Sequence, residues 1–241
     1  MNSLFESYKS LQNDYFNHLK NNNQVISRAL RTFDIRFRLA LDLEIEYSGN
    51  VSYVKTKHVK DTYKKTLRLM DLWNSYEALL KYVKNELKHS LVKSGPDKDK
   101  KSEYWTTAEN YYKKTTALET LKSVAENLKK KANDNDKFKN DFRIYIERIA
   151  NDKSKSIESH IKKQVSSILD FIDGKIEISG IEILSLIYAE RNMYFHDGEP
   201  GKMGISYPNR IYLLSAYYNC LEEVILKSII YVLSSHLKQV K

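Results

Sequence analysis

The sequence predicts an all-α protein, and two observations support this fold class. Only three prolines and seven glycines occur among the 241 residues, too few for the many turns of a β-rich chain. Long segments repeat apolar residues at intervals of three and four positions, which is the period of an amphipathic helix. The length is sufficient for a sizeable core, and we predict one elaborated helical domain over residues 1–241.

Two helices are predicted at the start of the chain. Ser3 and Glu6 have the spacing of a capping box, and the apolar residues that follow predict a helix to about residue 20. A second helix is predicted over about residues 25–47, and it carries four arginines close together: Arg28, Arg31, Arg36 and Arg38. These arginines could bind phosphates, but the neighbouring Asp and Glu residues favour ion pairs within the fold.

Residues 54–65, VKTKHVKDTYKK, form the densest basic run in the chain. The run is either the solvated face of a helix or a second strip of phosphate contacts. It leads into the apolar period of residues 67–87, where Trp73 and Tyr76 are predicted core residues. Gly, Pro and alternating charges predict a loop at residues 94–102.

Apolar spacing predicts further helices in the rest of the chain, at residues 104–131, 137–150, 157–172 and 208–233. The last of these has the longest uninterrupted apolar stripe in the protein, which suits both a bundle core and a subunit interface. Pro208 stands at its start, where a helix tolerates proline.

Charge and composition are compatible with anionic partners but do not identify one. The 40 Lys and Arg against 31 Asp and Glu give a net charge of +9, and 18 tyrosines accompany them. Basic surfaces attract polyanions and aromatic faces stack on unpaired bases, although solvated Lys-rich helices have a similar composition.

The sequence gives no indication of a metal, a cofactor or a membrane. The single cysteine, Cys220, excludes an intrachain disulfide and a thiolate zinc site, and the six histidines are scattered without a metal-binding motif. The N-terminal residues lack a signal-peptide pattern, and no apolar run is long enough to span a bilayer. We therefore expect a cytoplasmic protein without a cofactor or a membrane partner.

Residues 180–204, GIEILSLIYAERNMYFHDGEPGKMG, are the most informative stretch of the chain. An apolar helical run ends in Arg191, Asn192 and His196 and then reaches a glycine-rich loop. Arg191 projects from the apolar side of this helix and needs an anionic partner, which is either a carboxylate of the fold or a phosphate of a substrate.

The other polar residues of this helix fall on its less apolar side. At about 100° per residue, Asn192 and His196 lie one turn apart, together with Ser185 and Ala189. This spacing brings Asn192 close enough to His196 to interact with it.

The hexapeptide from Arg191 to His196, RNMYFH, followed by Asp197 and Gly198, resembles the R-N-x-x-x-H signature of the HEPN superfamily. The long apolar-periodic segment at residues 210–233 is similar to the helix that closes HEPN bundles. The resemblance implies a HEPN-like helical bundle with its core at about 60–241, its motif-bearing part at 154–240 and additional N-terminal helices within residues 1–50.

The same resemblance implies a metal-independent endoribonuclease that serves as a toxin or as an effector of antiviral defence. His196 would act as general acid or base, and Arg191 would stabilise the scissile phosphate, leaving a 2′,3′-cyclic phosphate. A symmetric homodimer would supply the second histidine that such a reaction needs. Asn192 would orient the imidazole or hold a phosphate oxygen, and Tyr194 and Lys202 are candidate substrate contacts.

The implied partners are RNA, including tRNA, a second copy of the chain, and an antitoxin or defence-system protein. Two alternatives remain open, namely a non-catalytic HEPN-like module that binds RNA or a nucleotide, and a helical scaffold for protein partners. In the latter, Arg191 would pair with a carboxylate and Asn192 would cap the helix end. His196 would lie at the helix C-terminus, where the helix dipole favours its cationic form.

Overall fold

The computed structural model describes residues 3–47, 57–86, 112, 114–152, 157–197 and 204–239, and all regular structure in them is helical. This confirms the predicted all-α class. The helices are α1 (Ser3–Asn21), α2 (Arg28–Asp42), α3 (Lys57–Glu86), α4 (Ala117–Asp134), α5 (Asp136–Ala150), α6 (Ser159–Ile172), α7 (Ile181–Asp197) and α8 (Tyr207–Gln239). None of these described helices has the length and apolarity needed to cross a membrane.

Two predicted helix boundaries differ from the structure. The single helix predicted over residues 104–131 is wrong at Thr116, a turn residue with φ +59°, after which α4 begins at Ala117. The Thr115 hydroxyl accepts a hydrogen bond from the Ala117 N–H at 3.4 Å, a local bond that competes with a continuous helix. The second helix ends at Asp42, and residues 43–47 continue in an irregular conformation.

The chain divides into two compact units. The single domain over residues 1–241 and the HEPN-like core at about 60–241 remain predictions. Unit 1 comprises residues 1–42, 71–118 and 221–241. Its core includes Tyr8, Phe33 and Phe37, whose rings lie 5.5–6.3 Å apart. Trp73 and Tyr76 are buried in the same unit, which confirms them as core residues.

Unit 2 comprises residues 43–70 and 119–220 and contains the motif-bearing helix. Within it α5 packs on α6, and α6 packs on α7. Ile161, Val165 and Ile168 form the predicted apolar stripe of α6, and all three are buried. The packing places α7 in the interior of unit 2, with only part of its C-terminal end accessible.

Candidate functional site

The motif helix α7 begins at a capping arrangement that the sequence encodes directly. Ser179 and Glu182 have the S-x-x-E spacing of a capping box. The Ser179 hydroxyl accepts from the Ile181 N–H at 3.3 Å, and the Glu182 carboxylate accepts from the Gly180 N–H at 3.0 Å. These bonds satisfy backbone donors that a helix start leaves without partners, so the register of α7 is fixed from its first turn.

The described side chains on the less apolar side of α7 are buried. Ser185, Ala189 and Asn192 are all buried. The Ser185 hydroxyl donates to the Gln164 side chain on α6 at 2.6 Å. Helix α7 is therefore covered around most of its circumference, which a helix with apolar residues on all sides favours.

Arg191 and Asn192 form a hydrogen-bonded pair near the end of α7. The Arg191 guanidinium is half-buried, and its Nη1 donates to Asn192 Oδ1 at 2.8 Å. Its Cζ also lies 4.9 Å from the ring centroid of Phe195, one turn further on, in a cation–π contact. Because Asn192 is only 3% exposed, its amide provides a fixed support for the guanidinium.

Two of the predicted site residues have side chains outside the described residues. His196 belongs to the last turn of α7, but its side chain is not described, and Lys202 lies in the undescribed residues 198–203. Their roles therefore stay predictions. The helical backbone places His196 one turn beyond Asn192, as the spacing predicts.

Tyr194 connects α7 to α3. Its hydroxyl donates to the Tyr63 hydroxyl at 3.4 Å, and the two rings meet edge-on with their centroids 6.2 Å apart. Burial, followed by the hydrogen bond to Tyr63, raises the pKa of Tyr194 to about 12. Tyr194 is therefore a neutral hydroxyl at physiological pH.

A surface of alternating aromatic and cationic side chains extends from this contact. Two ammonium groups of α3 lie over the Tyr47 ring, Lys60 Nζ at 5.5 Å and Lys64 Nζ at 5.6 Å from its centroid. On the other side, Tyr194 and Phe195 meet edge-on at 5.6 Å. We call this surface the aromatic–basic row, and it consists of Tyr47, Lys60, Tyr63, Lys64, Arg191, Tyr194 and Phe195.

The aromatic members of the row are accessible to a ligand. Phe195 is 53% exposed, Tyr63 37% and Tyr47 36%, which is unusual for large aromatic side chains in a helical protein. Burial, then the neighbouring Tyr63 and Asp61, raise the pKa of Tyr47. The basic run of the sequence thus joins the motif helix through Tyr63, a connection that the sequence did not reveal.

Beside the row lies a concavity of about 350 Å³ with mixed charge. Its charged lining residues are Glu44, Glu46, Asp61, Lys64, Lys65 and Arg68. Because acidic and basic side chains are equal in number among the lining residues that the structure describes, these residues give the concavity no net preference for an anion. The cationic character of this face is therefore concentrated in the row.

A buried polar cluster of Glu190, Arg210 and Tyr145 lies next to the motif and was not predicted from the sequence. Glu190 immediately precedes Arg191, and its carboxylate pairs with the Arg210 guanidinium of α8. The same carboxylate accepts from the Tyr145 hydroxyl of α5 at 2.6 Å. The side chains of Glu190 and Arg210 are only 2% and 3% exposed. Burial, followed by the charge of Glu190, raises the pKa of Tyr145 well above its usual range, so its hydroxyl stays a donor.

After residues 198–203, which we call the motif loop, the chain reaches a second anchor on α5. Asp141 Oδ2 accepts from the Ser206 N–H at 3.1 Å, from the Ser206 hydroxyl at 2.6 Å and from the Asn209 amide at 2.7 Å. Burial alone would raise the pKa of Asp141, but these hydrogen bonds outweigh it and hold the pKa below its usual range. A carboxylate at the N-terminus of α8 is also favoured by the helix dipole.

Gly204 brings the returning chain close to α5. It has φ +76°, and a Cβ added to it would lie 2.7 Å from Ile144 Cγ2. Only glycine fits this position without strain or displacement. The two ends of the motif loop are therefore held by α5, one through Glu190 and Tyr145 and the other through Asp141.

Across the described part of the chain, no group of three or more His, Cys, Asp or Glu side chains could hold a metal ion. No family model matches the sequence, and comparison with characterised proteins and with solved structures finds no significant match.

Proposed function

We propose that the protein is a metal-independent endoribonuclease of the HEPN type. In this proposal Arg191 stabilises the scissile phosphate and His196 transfers the proton, in a site completed by a second copy of the chain. The observation that carries the proposal is the location of the Arg191–Asn192 pair at one end of the aromatic–basic row. Cations alternating with exposed aromatic rings suit the phosphates and the unpaired bases of single-stranded RNA.

The proposed chemistry needs only the side chains of the motif. The 2′-oxygen attacks phosphorus and gives its proton to one imidazole, while the bond from phosphorus to the 5′-oxygen breaks. The leaving 5′-oxygen takes a proton from a second imidazole, so the products are a 2′,3′-cyclic phosphate and a 5′-hydroxyl. Because one histidine cannot easily do both in one step, the symmetric dimer supplies the second His196.

The geometry supports distinct roles for Arg191 and Asn192. A guanidinium presents a planar fork that matches two phosphate oxygens, and its charge opposes the charge that develops on the phosphorane. Asn192 is buried and its Oδ1 accepts from Arg191, so it acts as a positioning residue rather than as a catalytic one. Tyr194, held neutral and bonded to Tyr63, offers a ring and a hydroxyl to an adjacent base.

The experiment that tests this function is cleavage of total cellular RNA and tRNA in EDTA, with mapping of the product ends. We expect cleavage by the wild-type protein and by His18→Ala, a control histidine on α1 in unit 1. We expect none by His196→Ala, and a loss of about a hundredfold for Arg191→Lys, which keeps the charge but loses the fork. Undiminished cleavage by His196→Ala would remove this residue from the mechanism.

Binding measurements separate the alternatives. If RNA binds with strong salt dependence but is not cleaved, the protein is a binding module, and if RNA does not bind at all, a scaffold for protein partners becomes the better description. Tyr63→Ala and Phe195→Ala should each weaken single-stranded RNA binding about tenfold, because stacking on one base contributes on the order of 1–3 kcal/mol. Tyr15→Ala, on α1 in unit 1, is the matched control and should leave RNA affinity unchanged.

A further inference from the structure

Unit 1 contains a concave site that none of the proposed chemistry uses. A cavity of about 650 Å³ is lined by residues of α2 and of the C-terminal part of α3: Arg28, Ala29, Thr32, Arg36, Glu77, Ala78 and Lys81. Pockets that bind small molecules have volumes of roughly 300–1,000 Å³. The cavity is therefore large enough for a nucleotide-sized ligand.

The charged residues of this cavity give it a clear preference for anions. Arg28, Arg36 and Lys81 contribute three cations, and none of them forms an ion pair with another residue in the described ranges. In contrast, Arg38 of the same helix donates to Asp34 at 2.8 Å and to Gln12 at 2.5 Å. The prediction that the arginine cluster serves ion pairs within the fold thus holds for Arg38 but not for Arg28 or Arg36.

Glu77, the one carboxylate among the described lining residues, does not neutralise these cations. Glu77 Oε1 accepts a hydrogen bond from the Trp73 indole N–H at 2.8 Å, which fixes the position of the carboxylate. The net charge of the lining residues is positive even with Glu77 ionised. The carboxylate can also accept a hydrogen bond from a hydroxyl or amino group, if the bound ligand has one.

The spacing of the cations suits several phosphates in a chain. Arg28, Thr32 and Arg36 follow one another at intervals of four residues, so they share one face of α2. Eight residues of helix separate the two arginine Cα atoms by about 12 Å. Their long side chains can converge from both ends on a polyphosphate, whose several charged oxygens offer an acceptor to each guanidinium. The small side chains of Ala29 and Ala78 leave space between the helices.

We propose that this cavity binds a small molecule carrying a phosphate chain, of the class of pyrophosphate or a nucleoside triphosphate. A concave site of limited volume favours such a ligand over a continuous RNA strand. The proposal is independent of the ribonuclease activity, which uses residues of unit 2.

The test is isothermal titration of the full-length protein, at physiological ionic strength, with inorganic phosphate, pyrophosphate and ATP. We expect saturable binding of pyrophosphate and ATP at one site, and weaker binding of inorganic phosphate. Arg28→Gln and Arg36→Gln should each weaken pyrophosphate binding about tenfold or more, the loss expected for a charge-assisted hydrogen bond. Arg31→Gln is the matched control, because Arg31 is also exposed on α2 but does not line the cavity.

The outcomes of this titration are distinct. Pyrophosphate bound as tightly as ATP would assign recognition to the phosphate chain alone, and tighter binding of ATP would place the nucleoside in the cavity as well. No saturable binding of either probe, or equal weakening by Arg31→Gln, would overturn the proposal. The proposal would also be overturned if Arg28→Gln and Arg36→Gln weakened the binding of a single-stranded RNA oligonucleotide and pyrophosphate did not displace that oligonucleotide. Far-UV circular dichroism verifies that these exposed substitutions leave the helices intact.

Discussion

Removal of the Arg210 guanidinium gives the strongest test of how the motif helix is held. Arg210→Met keeps an unbranched side chain of similar length but leaves the Glu190 carboxylate buried without its cation. The Tyr145 hydroxyl, at 2.6 Å, is then the remaining described donor to that carboxylate. We expect the variant to lose about 3–5 kcal/mol of unfolding free energy, the typical cost of one missing partner in a buried ion pair.

The size of this loss depends on the charge left behind, and a double variant shows it. Glu190→Leu combined with Arg210→Met removes both charges and keeps an apolar volume. Only the hydrogen bond of Tyr145 is then lost, at about 1–2 kcal/mol. The double variant should therefore be more stable than Arg210→Met alone, with a coupling free energy of several kcal/mol between the two positions.

Urea unfolding followed by far-UV circular dichroism measures the four proteins of this cycle. Unchanged dependence on urea concentration would show that the stability, and not the compactness of the unfolded chain, differs between them. The reasoning would be refuted if the two single substitutions were additive, or if Arg210→Met cost less than about 1 kcal/mol, since a buried unpaired carboxylate cannot be so inexpensive.

Three further predictions concern the motif loop and its neighbours. Gly204→Ala should lower the free energy of unfolding by about 2–4 kcal/mol, because Gly204 has a positive φ and its added Cβ would meet Ile144. Gly174→Ala, which has open space at φ +74°, should lower it by only about 1 kcal/mol, and equal shifts of the two melting temperatures would refute the contact. Asp141→Ala should lower the free energy of unfolding by about 1–2 kcal/mol at neutral pH. Because the pKa of Asp141 in the folded protein lies below its ordinary value of 3.8, its carboxylate stabilises the fold above pH 3.8. This stability is lost as the pH falls through the folded pKa, so the difference in unfolding free energy between variant and wild type should vanish in acid. In an alkaline ultraviolet titration, wild type should show one tyrosine ionisation near pH 12 that Tyr194→Phe lacks. The stability that the neutral Tyr194 hydroxyl provides should be lost as the pH rises from about 10 to about 12.

The sequence was sufficient to predict most helices, because each repeats apolar residues at intervals of three and four positions over many residues. Helices α1, α5, α6, α7 and α8 begin within three residues of their predicted starts. The break at Thr116 was missed, since it depends on a single backbone residue of positive φ within an otherwise helical composition. The early end of α2 was also missed, because residues 43–47 belong to unit 2 and tertiary packing overrides local propensity there.

The candidate site was only partly predictable from the sequence. The spacing placed Arg191, Asn192 and His196 correctly along one helix, but it could not show that Asn192 is buried. Glu190 was overlooked because its partner, Arg210, comes from another helix and is recognisable only once the two helices are packed. A charged residue within an apolar helical run was the one available signal, since such a residue needs a partner when it is buried.

The two anchors of the motif loop have a practical consequence for engineering. Asp141 and Tyr145 lie one helical turn apart on α5, so a single rigid element sets the distance between the two ends of residues 198–203. The length of the intervening chain then has little influence on where its ends lie. Doubling a loop costs only about 0.6 kcal/mol of closure entropy, so foreign recognition peptides could be grafted there while the helices keep their positions. Residues 198–203 are thus a natural place to insert a peptide into this chain.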